Sequence, residues 1–378
     1  MSLLSRSFWE LHDGTPSHIM SKMSAKQTTP TLSQSQAAAL VKKHYKLTTS
    51  ELHYLPSFED QNIYIAVVEG GEYVLKIINS EDSKDPILFE LQTYAMNFLH
   101  ENGLPTQTAL KTTTGEVMIL EDIDCGHGLQ KYLVRLLTYL PGSPISKAPI
   151  SPQLLYEVGQ TAARVDNILG QMEHPQLSKL QRDNFKWSLS NVPILEKYLH
   201  VLDGDPLKEV VGSVIHQYKT TVAHKYPSFR KCLLHGDLND LNVLVQADEG
   251  KGYTVAGIID FGDIHFGYYV YELAITIMYM MHLHHNPIDV GGPVLAGWEG
   301  VLPLNAAERD CLFWLVLSRF CQQLVLCLYI SKQHPENEEY LMRLSKSGTG
   351  ILHKLNNIGK KQVEKVWFQT AAQFNDRK

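Results

Sequence analysis

At 378 residues, with 44% hydrophobic and 20% charged residues, the chain can bury large cores and is expected to divide into two lobes. A formal net charge of −6 argues against nucleic acid or an anionic membrane surface as partner, and mildly favours a cationic substrate. Five cysteines, an odd number without paired spacing, point to a reducing compartment and hence the cytoplasm.

Residues 1–27 mix Ser, Thr, Lys and His without sustained periodicity and read as a disordered leader. They hold no continuous apolar run for a secretory signal. Arg6 among serines gives a faint transit-peptide character that Glu10 and Asp13 oppose, so mitochondrial targeting is the minor alternative. Asn62–Val68 and Glu72–Ile78 are two strand-like runs joined by Gly70-Gly71, a two-residue hairpin signal. Lys76 lies within the apolar run Val74-Leu75-Lys76-Ile77-Ile78, as the phosphate-contacting lysine of protein kinases does. Such a lysine either snorkels to an edge or points into a cleft at an anion, and the motifs downstream favour the anion. Ser57–Asn62 stands where a glycine-rich loop would, although no G-x-G-x-x-G or Walker sequence occurs. Its backbone N–H groups can still cradle phosphate oxygens, which makes Asn62 a nucleotide-side candidate.

The spacing predicts a helix over 86–100, with Pro86 in its first turn and Gly103 and Pro105 past its end. Ile87, Glu90, Tyr94 and Phe98 would share one face, and a charge there needs a countercharge, so Glu90 is expected to pair with Lys76. The Leu140-Pro141-Gly142 break predicts a linker, giving a small lobe over 28–138 and a larger one over 139–378. Ser151-Pro152 opens a helix through about 169.

His235-Gly236-Asp237-Leu238-Asn239-Asp240-Leu241-Asn242 carries the chemistry, together with Ile258-Ile259-Asp260-Phe261-Gly262-Asp263. An Asp with an Asn five positions on, followed by a second Asp opening D-F-G, is the order and spacing of a phosphotransfer centre. There the first Asp accepts the hydroxyl proton, while the Asn and second Asp hold Mg²⁺, a hard cation that takes oxygen ligands. Short buried strands flank both motifs, and Lys251-Gly252 is expected to turn between them. His282, His284 and His285 lie beside Asn286-Pro287 and read as a helix terminus, not a metal cluster. Asn305 with Glu308 is a capping signal for an apolar helix through Ile330. Arg319, Gln322 and Gln323 stripe that helix, and a mid-helix Arg costs about 2.5–3.5 kcal/mol for membrane insertion. A buried lobe helix is therefore expected.

These motifs resemble the aminoglycoside phosphotransferase and choline kinase group, whose members carry H-G-D-x-x-x-x-N and a later I-D-F/W-x-D. The resemblance implies a bilobal, α+β protein-kinase-like fold with a small antiparallel-sheet N-lobe and a larger, mainly helical C-lobe. Within the group, the chain is similar to the hydroxylysine kinases of vertebrates over roughly residues 28 to 370. The segments that carry this are Tyr132–Gly142, His235–Asp240, Gly267–Val270 with Ala274–Met281, and Val290–Gly297. That similarity implies GTP as donor (ATP also fits a purine hinge) and the side-chain hydroxyl of 5-hydroxy-L-lysine as acceptor.

It also implies Asp237 as base, Asn242 and Asp260 as Mg²⁺ ligands, Lys76 on the phosphates and Glu90 orienting it. Arg135, Leu137 and Tyr139 align with the purine hinge. Glu272 would brace the catalytic loop, where the group more often has Asp, and His235 would fix loop geometry. An acceptor with two ammonium groups and a carboxylate needs acids and a cation, for which Asp240, Asp263 and Arg319 are the candidates. Trp298 or Tyr268 would serve as walls. Two alternatives stand beside this reading: a kinase for homoserine, choline or methylthioribose, and a catalytically silent nucleotide-binding scaffold.

Overall fold

The computed structural model describes residues 28–57, 59–250 and 252–375. The expected leader over 1–27, and Lys251 of the expected turn, lie outside the described residues. The chain forms two compact units. The first runs to Pro141 and regains Met172–Gln181 and Gly257–Asp263; the second holds Gly142–Gln171, Arg182–Ala256 and Ile264–Lys378. The division therefore falls three residues beyond the expected 138 and is crossed again by two short returns.

The first unit is built on a five-stranded antiparallel sheet in the order β1-β2-β3-β5-β4. Its strands are β1 (Thr49–Leu55), β2 (Gln61–Val67), β3 (Glu72–Ile77), β4 (Ile119–Asp124) and β5 (Leu129–Thr138). Gly70 and Gly71 close the β2–β3 hairpin with φ of 89° and 114°, a conformation open to glycine at little cost. Helix α1 (Gln34–Tyr45) starts at a Ser33/Gln36 capping box and buries Ala37, Val41 and Tyr45. Those side chains share a core with Ile63, Ile65, Leu75, Ile77, Val134 and Leu136. Because side chains alternate along a strand, the residues between these point to the other face. Asn62, Lys76 and Arg135 are such residues and stand in register across β2, β3 and β5. Helix α2 (Pro86–Glu101) buries Leu88, Phe89, Gln92, Thr93, Met96 and Leu99.

The second unit is mainly helical. Helix α3 (Pro152–Leu169), capped by Ser151, crosses α6 (Ile288–Glu299) at two glycine notches. A Cβ at Gly159 would sit 2.0 Å from Val294 O, and one at Gly297 would sit 1.9 Å from Tyr156 O. Between them in sequence come α4 (Leu207–Gln217) and α5 (Tyr269–Met281). Helix α7 (Ala306–Gln333) starts at the Asn305/Glu308 capping box. An 18-residue window of it is long and apolar enough to cross a membrane, but 89% of that window is buried inside the protein. Its polar stripe explains the burial. Arg319 Nη1 donates to Trp187 O at 2.8 Å, and Gln322 Nε2 donates to Lys186 O and Ser188 O. The stripe thus supplies donors to backbone carbonyls of an irregular segment.

Short strands complete the unit. β7 (Lys231–Leu234) pairs with β10 (His265–Tyr268), delivering the catalytic-loop motif from a buried strand end. β6 (Ser143–Pro144), β8 (Val243–Asp248) and β9 (Gly252–Ile258) form a three-stranded sheet. Asn242 immediately precedes β8, and Asp260 comes two residues after β9.

Candidate active site

The first unit presents a polar row. Lys76 is 7% exposed, and Arg135, directly opposite it on β5, is 4% exposed. Two like charges in such a pair repel unless acids accompany them. Lys76 Nζ lies 3.4 Å from Asp60 Oδ2. Asp60 in turn accepts hydrogen bonds from Asn79 N and Nδ2, which fix its carboxylate. Burial pulls the Arg135 guanidinium down to about 10, against the fields of Asp60 and Asp260. It remains a cation at neutral pH. Asn62 Oδ1, at the other end of the row, is buried with no hydrogen-bond partner among the described residues.

The expected Lys76–Glu90 pair does not form. Glu90 is exposed, and Asp60 takes its place beside the lysine. The cause lies in Arg135, which donates to Phe89 O, Thr93 Oγ1 and Gln92 Oε1 and so sets the rotation of α2. The buried face of α2 follows 88, 89, 92, 96 and 99 rather than 87, 90, 94 and 98. Arg135 is correspondingly a side-chain anchor inside the unit. Of the expected hinge residues, Leu137 is buried in β5, and Tyr139 uses its N–H on Glu72 O. The Tyr139 ring packs edge-on against Tyr64.

Asp260 adopts a left-handed φ of 68°, a region Asp tolerates better than most residues. Its Oδ1 accepts from Gly262 N at 3.1 Å. Asp263, three residues on, is buried within the same return.

The second unit holds the loop of the His235–Asn242 motif. Asp237 Oδ2 accepts from Asn239 Nδ2 at 2.8 Å and from Asn242 Nδ2 at 3.1 Å. Asn242 Nδ2 also reaches Asp237 O, which turns its Oδ1 the other way. That oxygen is buried and has no hydrogen-bond partner among the described residues. A buried amide oxygen left without a donor is what a hard cation can use, so Asn242 fits an Mg²⁺ ligand. Asp260 offers a carboxylate of the same hard-oxygen type. His235 is fully buried and accepts from Asp237 N through Nδ1.

Beneath the loop, Glu272 Oε2 accepts from Gly236 N at 2.7 Å. Burial pushes its carboxyl up to about 7, the Gly236 hydrogen bond opposing and the Asp237 charge reinforcing the shift. Asp166 of α3 is a second buried acid here, held well above the usual carboxylate range by burial and then by Glu272.

Two arginines complete the arrangement. Arg319 is fully buried, with Nη2 lying 3.5 Å from Asp237 Oδ1 and its guanidinium between Trp187 and Tyr279. It is therefore occupied by the Asp237 carboxylate and by backbone, and its full burial keeps it from direct contact with a substrate. Asp240 is not an open acid either: Arg343 grips it with Nη1–Oδ2 of 2.8 Å and Nη2–Oδ1 of 2.7 Å. Trp298 is core, and Tyr268 stacks on Tyr226 within an aromatic cluster. Sequence reasoning missed Asp60, Asn239, Asp166 and Arg343. Asn239 lies inside the motif it read; Arg343, 103 positions from its partner, gave no local signal.

Comparison with known proteins bears on this geometry. Residues 52–300 match the model of the phosphotransferase enzyme family. Hydroxylysine kinase of Danio rerio is 55% identical over 352 residues, covering 93% of this chain and 99% of that protein. Its Bos taurus counterpart is 47% identical, covering 92% and 95%. Among solved structures, an amicoumacin kinase in complex with AMP-PNP and Ca²⁺ superposes with a TM-score of 0.60 at 16% identity, covering 84% of this chain and 94% of that one. A microcompartment-associated aminopropanol kinase gives 0.59 at 16% identity, covering 90% and 94%. These likenesses bear out the kinase-like fold, an antiparallel-sheet N-terminal lobe and a helical C-terminal one. The chain belongs to the phosphotransferase enzyme family, in the group that includes the vertebrate hydroxylysine kinases, and is a phosphotransferase acting on a hydroxyl.

Proposed function

We propose that the protein transfers the γ-phosphoryl group of GTP to the side-chain hydroxyl of 5-hydroxy-L-lysine, in the cytoplasm. The observation that carries this is the 55% identity to a hydroxylysine kinase over nearly its whole length. The catalytic loop supports it: Asp237 is held by two amides and Arg319, so its carboxylate is aimed before any acceptor arrives. Five free cysteines support the reducing compartment.

Asp237 takes the acceptor's hydroxyl proton as the new O–P bond forms, while the bond from the γ-phosphorus to the β,γ-bridging oxygen breaks and GDP leaves with the electron pair. Lys76 and the buried Arg135 contribute positive charge on the nucleotide side. Asn242 and Asp260 would hold Mg²⁺, which supplies charge neutralisation of the triphosphate when bound. Because transition states of this reaction are loose, orientation of Asp237 counts for more than its basicity.

The test is phosphate transfer from labelled GTP and ATP to a panel holding 5-hydroxy-L-lysine, homoserine and choline, with Asp237→Asn alongside. Transfer to hydroxylysine, faster with GTP and lowered about 10²–10⁴-fold in Asp237→Asn, is expected. Transfer to another alcohol alone sinks the acceptor assignment. Nucleotide binding with no transfer to any alcohol sinks the enzyme reading and leaves the scaffold.

A further inference from the structure

Resting on that acceptor reading, we propose that Arg343 anchors the acceptor's α-carboxylate and so selects an amino acid over a simple amino alcohol. Arg343 follows a short helix, Glu338–Met342, far along the chain, yet its guanidinium reaches the catalytic loop. Asp240, three residues after Asp237, accepts both of its Nη groups, and the Asp240 side chain is 1% exposed against 28% for Arg343. Asp240 is itself fixed, since its carbonyl accepts from Ser146 N at 3.1 Å. The result is a cation whose orientation is set from the buried side while its other side meets solvent.

The chemistry of the guanidinium makes this useful. It carries five N–H donors in a planar fork, and Asp240 uses two. The Tyr340 hydroxyl shares another, and the donors that remain can address a second carboxylate, the group for which a fork is matched and a lysine is not. Arg319 cannot play this part, because it is fully buried, with one Nη on Trp187 O and the other facing Asp237.

Asp237 and Arg343 belong to one cluster. Tyr279, Cys327 and Tyr340 each lie in the field of both charges. An acceptor whose hydroxyl meets Asp237 would therefore have its remaining length beside Arg343. Charge balance agrees. Asp237 with Arg319 and Asp240 with Arg343 are two compensated pairs, so a carboxylate arriving at Arg343 needs a cation with it, which the α-ammonium of an amino acid supplies.

The experiment compares kcat/KM for 5-hydroxy-L-lysine with that for its decarboxylated counterpart, 1,5-diaminopentan-2-ol. It uses the full-length wild type, Arg343→Met, and Arg343→Met/Asp240→Asn, the double variant leaving no unpaired buried acid. Wild type should prefer the amino acid on the order of 100-fold, the worth of one charge-assisted carboxylate pair. In both variants that preference should fall to about threefold or less, through KM rather than kcat. Variants that lose both acceptors alike, with the preference intact, overturn the proposal and make Arg343 a structural tie. A wild type that takes both acceptors equally also overturns it. A wild type that phosphorylates neither refutes the acceptor reading itself, and the anchor falls with it.

Discussion

Gly297→Ala tests the helix crossing that supports the catalytic loop from below. The added Cβ would lie 1.9 Å from Tyr156 O and 2.8 Å from Gln160 N, both backbone atoms of α3. Backbone cannot swing aside as a side-chain tip can, so α3 and α6 must part by about 1 Å or more before the contact becomes tolerable. Overpacking of this kind costs about 1–3 kcal/mol, and the loss should fall at the upper end because an entire helix pair moves. The expected drop in Tm is then about 6–12 °C, at roughly 2–4 °C per kcal/mol for a unit of this size. Gly212→Ala is the control: it sits in α4 with nothing within 4 Å of the added carbon, and it should raise stability by about 0.5–1 kcal/mol through helix propensity. Gly159→Ala meets the same helix pair from the other side, 2.0 Å from Val294 O. Once the helices have separated for one methyl group they accommodate the other, so the double variant should lose clearly less than the sum of the singles. Urea and thermal melts of the four variants measure all of this. A Gly297→Ala protein melting with the wild type, or strict additivity at the crossing, would show that the helices are not held by the notches.

Glu272→Gln bears on pH. A buried carboxyl raised to about 7 holds its proton more tightly in the folded chain than in the unfolded one, where a glutamate titrates near 4.3. Stability from this group is therefore full below about pH 4, is lost as pH rises towards 7, and stays lost above. The Gln variant should show a flatter fall in urea midpoint between pH 5 and pH 8, and an unchanged slope would refute the assignment. Glu90→Ala should leave the nucleotide Kd within about twofold, whereas Lys76→Met should raise it at least about tenfold; equal losses would restore the Lys76–Glu90 pair. Chelation of divalent metal should abolish transfer, and Asn242→Ala should raise the Mg²⁺ needed for half-maximal rate about tenfold or more. A wild-type metal response in that variant would remove Asn242 from the ligand set.

What the sequence made legible was local. The Asn305/Glu308 capping box and the Asp237-to-Asn242 spacing each depend on residues a few positions apart, and each appears in the structure as expected; the β2–β3 hairpin also forms, but through the four residues Val68–Gly71 instead of the two expected. The Glu90 expectation failed because α2 carries two overlapping apolar stripes. Which one turns inward was decided by Arg135, on a strand more than thirty residues away. The arginine itself is placed by resemblance at the purine hinge, since a lone cation in an apolar strand carries no mark of which face it will take. Asp240 was legible as an acid near the chemistry, but its partner was not. Pairings such as Arg343–Asp240 and Gly297–Tyr156 are products of topology, and periodicity along one segment cannot encode them.

The polar stripe of α7 has a consequence for how the second unit opens. Lys186, Trp187 and Ser188 offer their carbonyls to Arg319 and Gln322, side chains more than 130 positions downstream. The irregular segment therefore has no ladder of its own to retreat into, and the helix has no other donors' partners to turn to without leaving buried nitrogens unpaired. Neither can detach alone at low cost. In hydrogen exchange, slowly exchanging amides of α7 around Arg319 and those near Trp187 should be released by the same opening, with the same dependence on denaturant. Asp237, tied to Arg319, would share the fate of that opening unit: its loop keeps its shape only as long as a helix and a distant strip of backbone stay closed together.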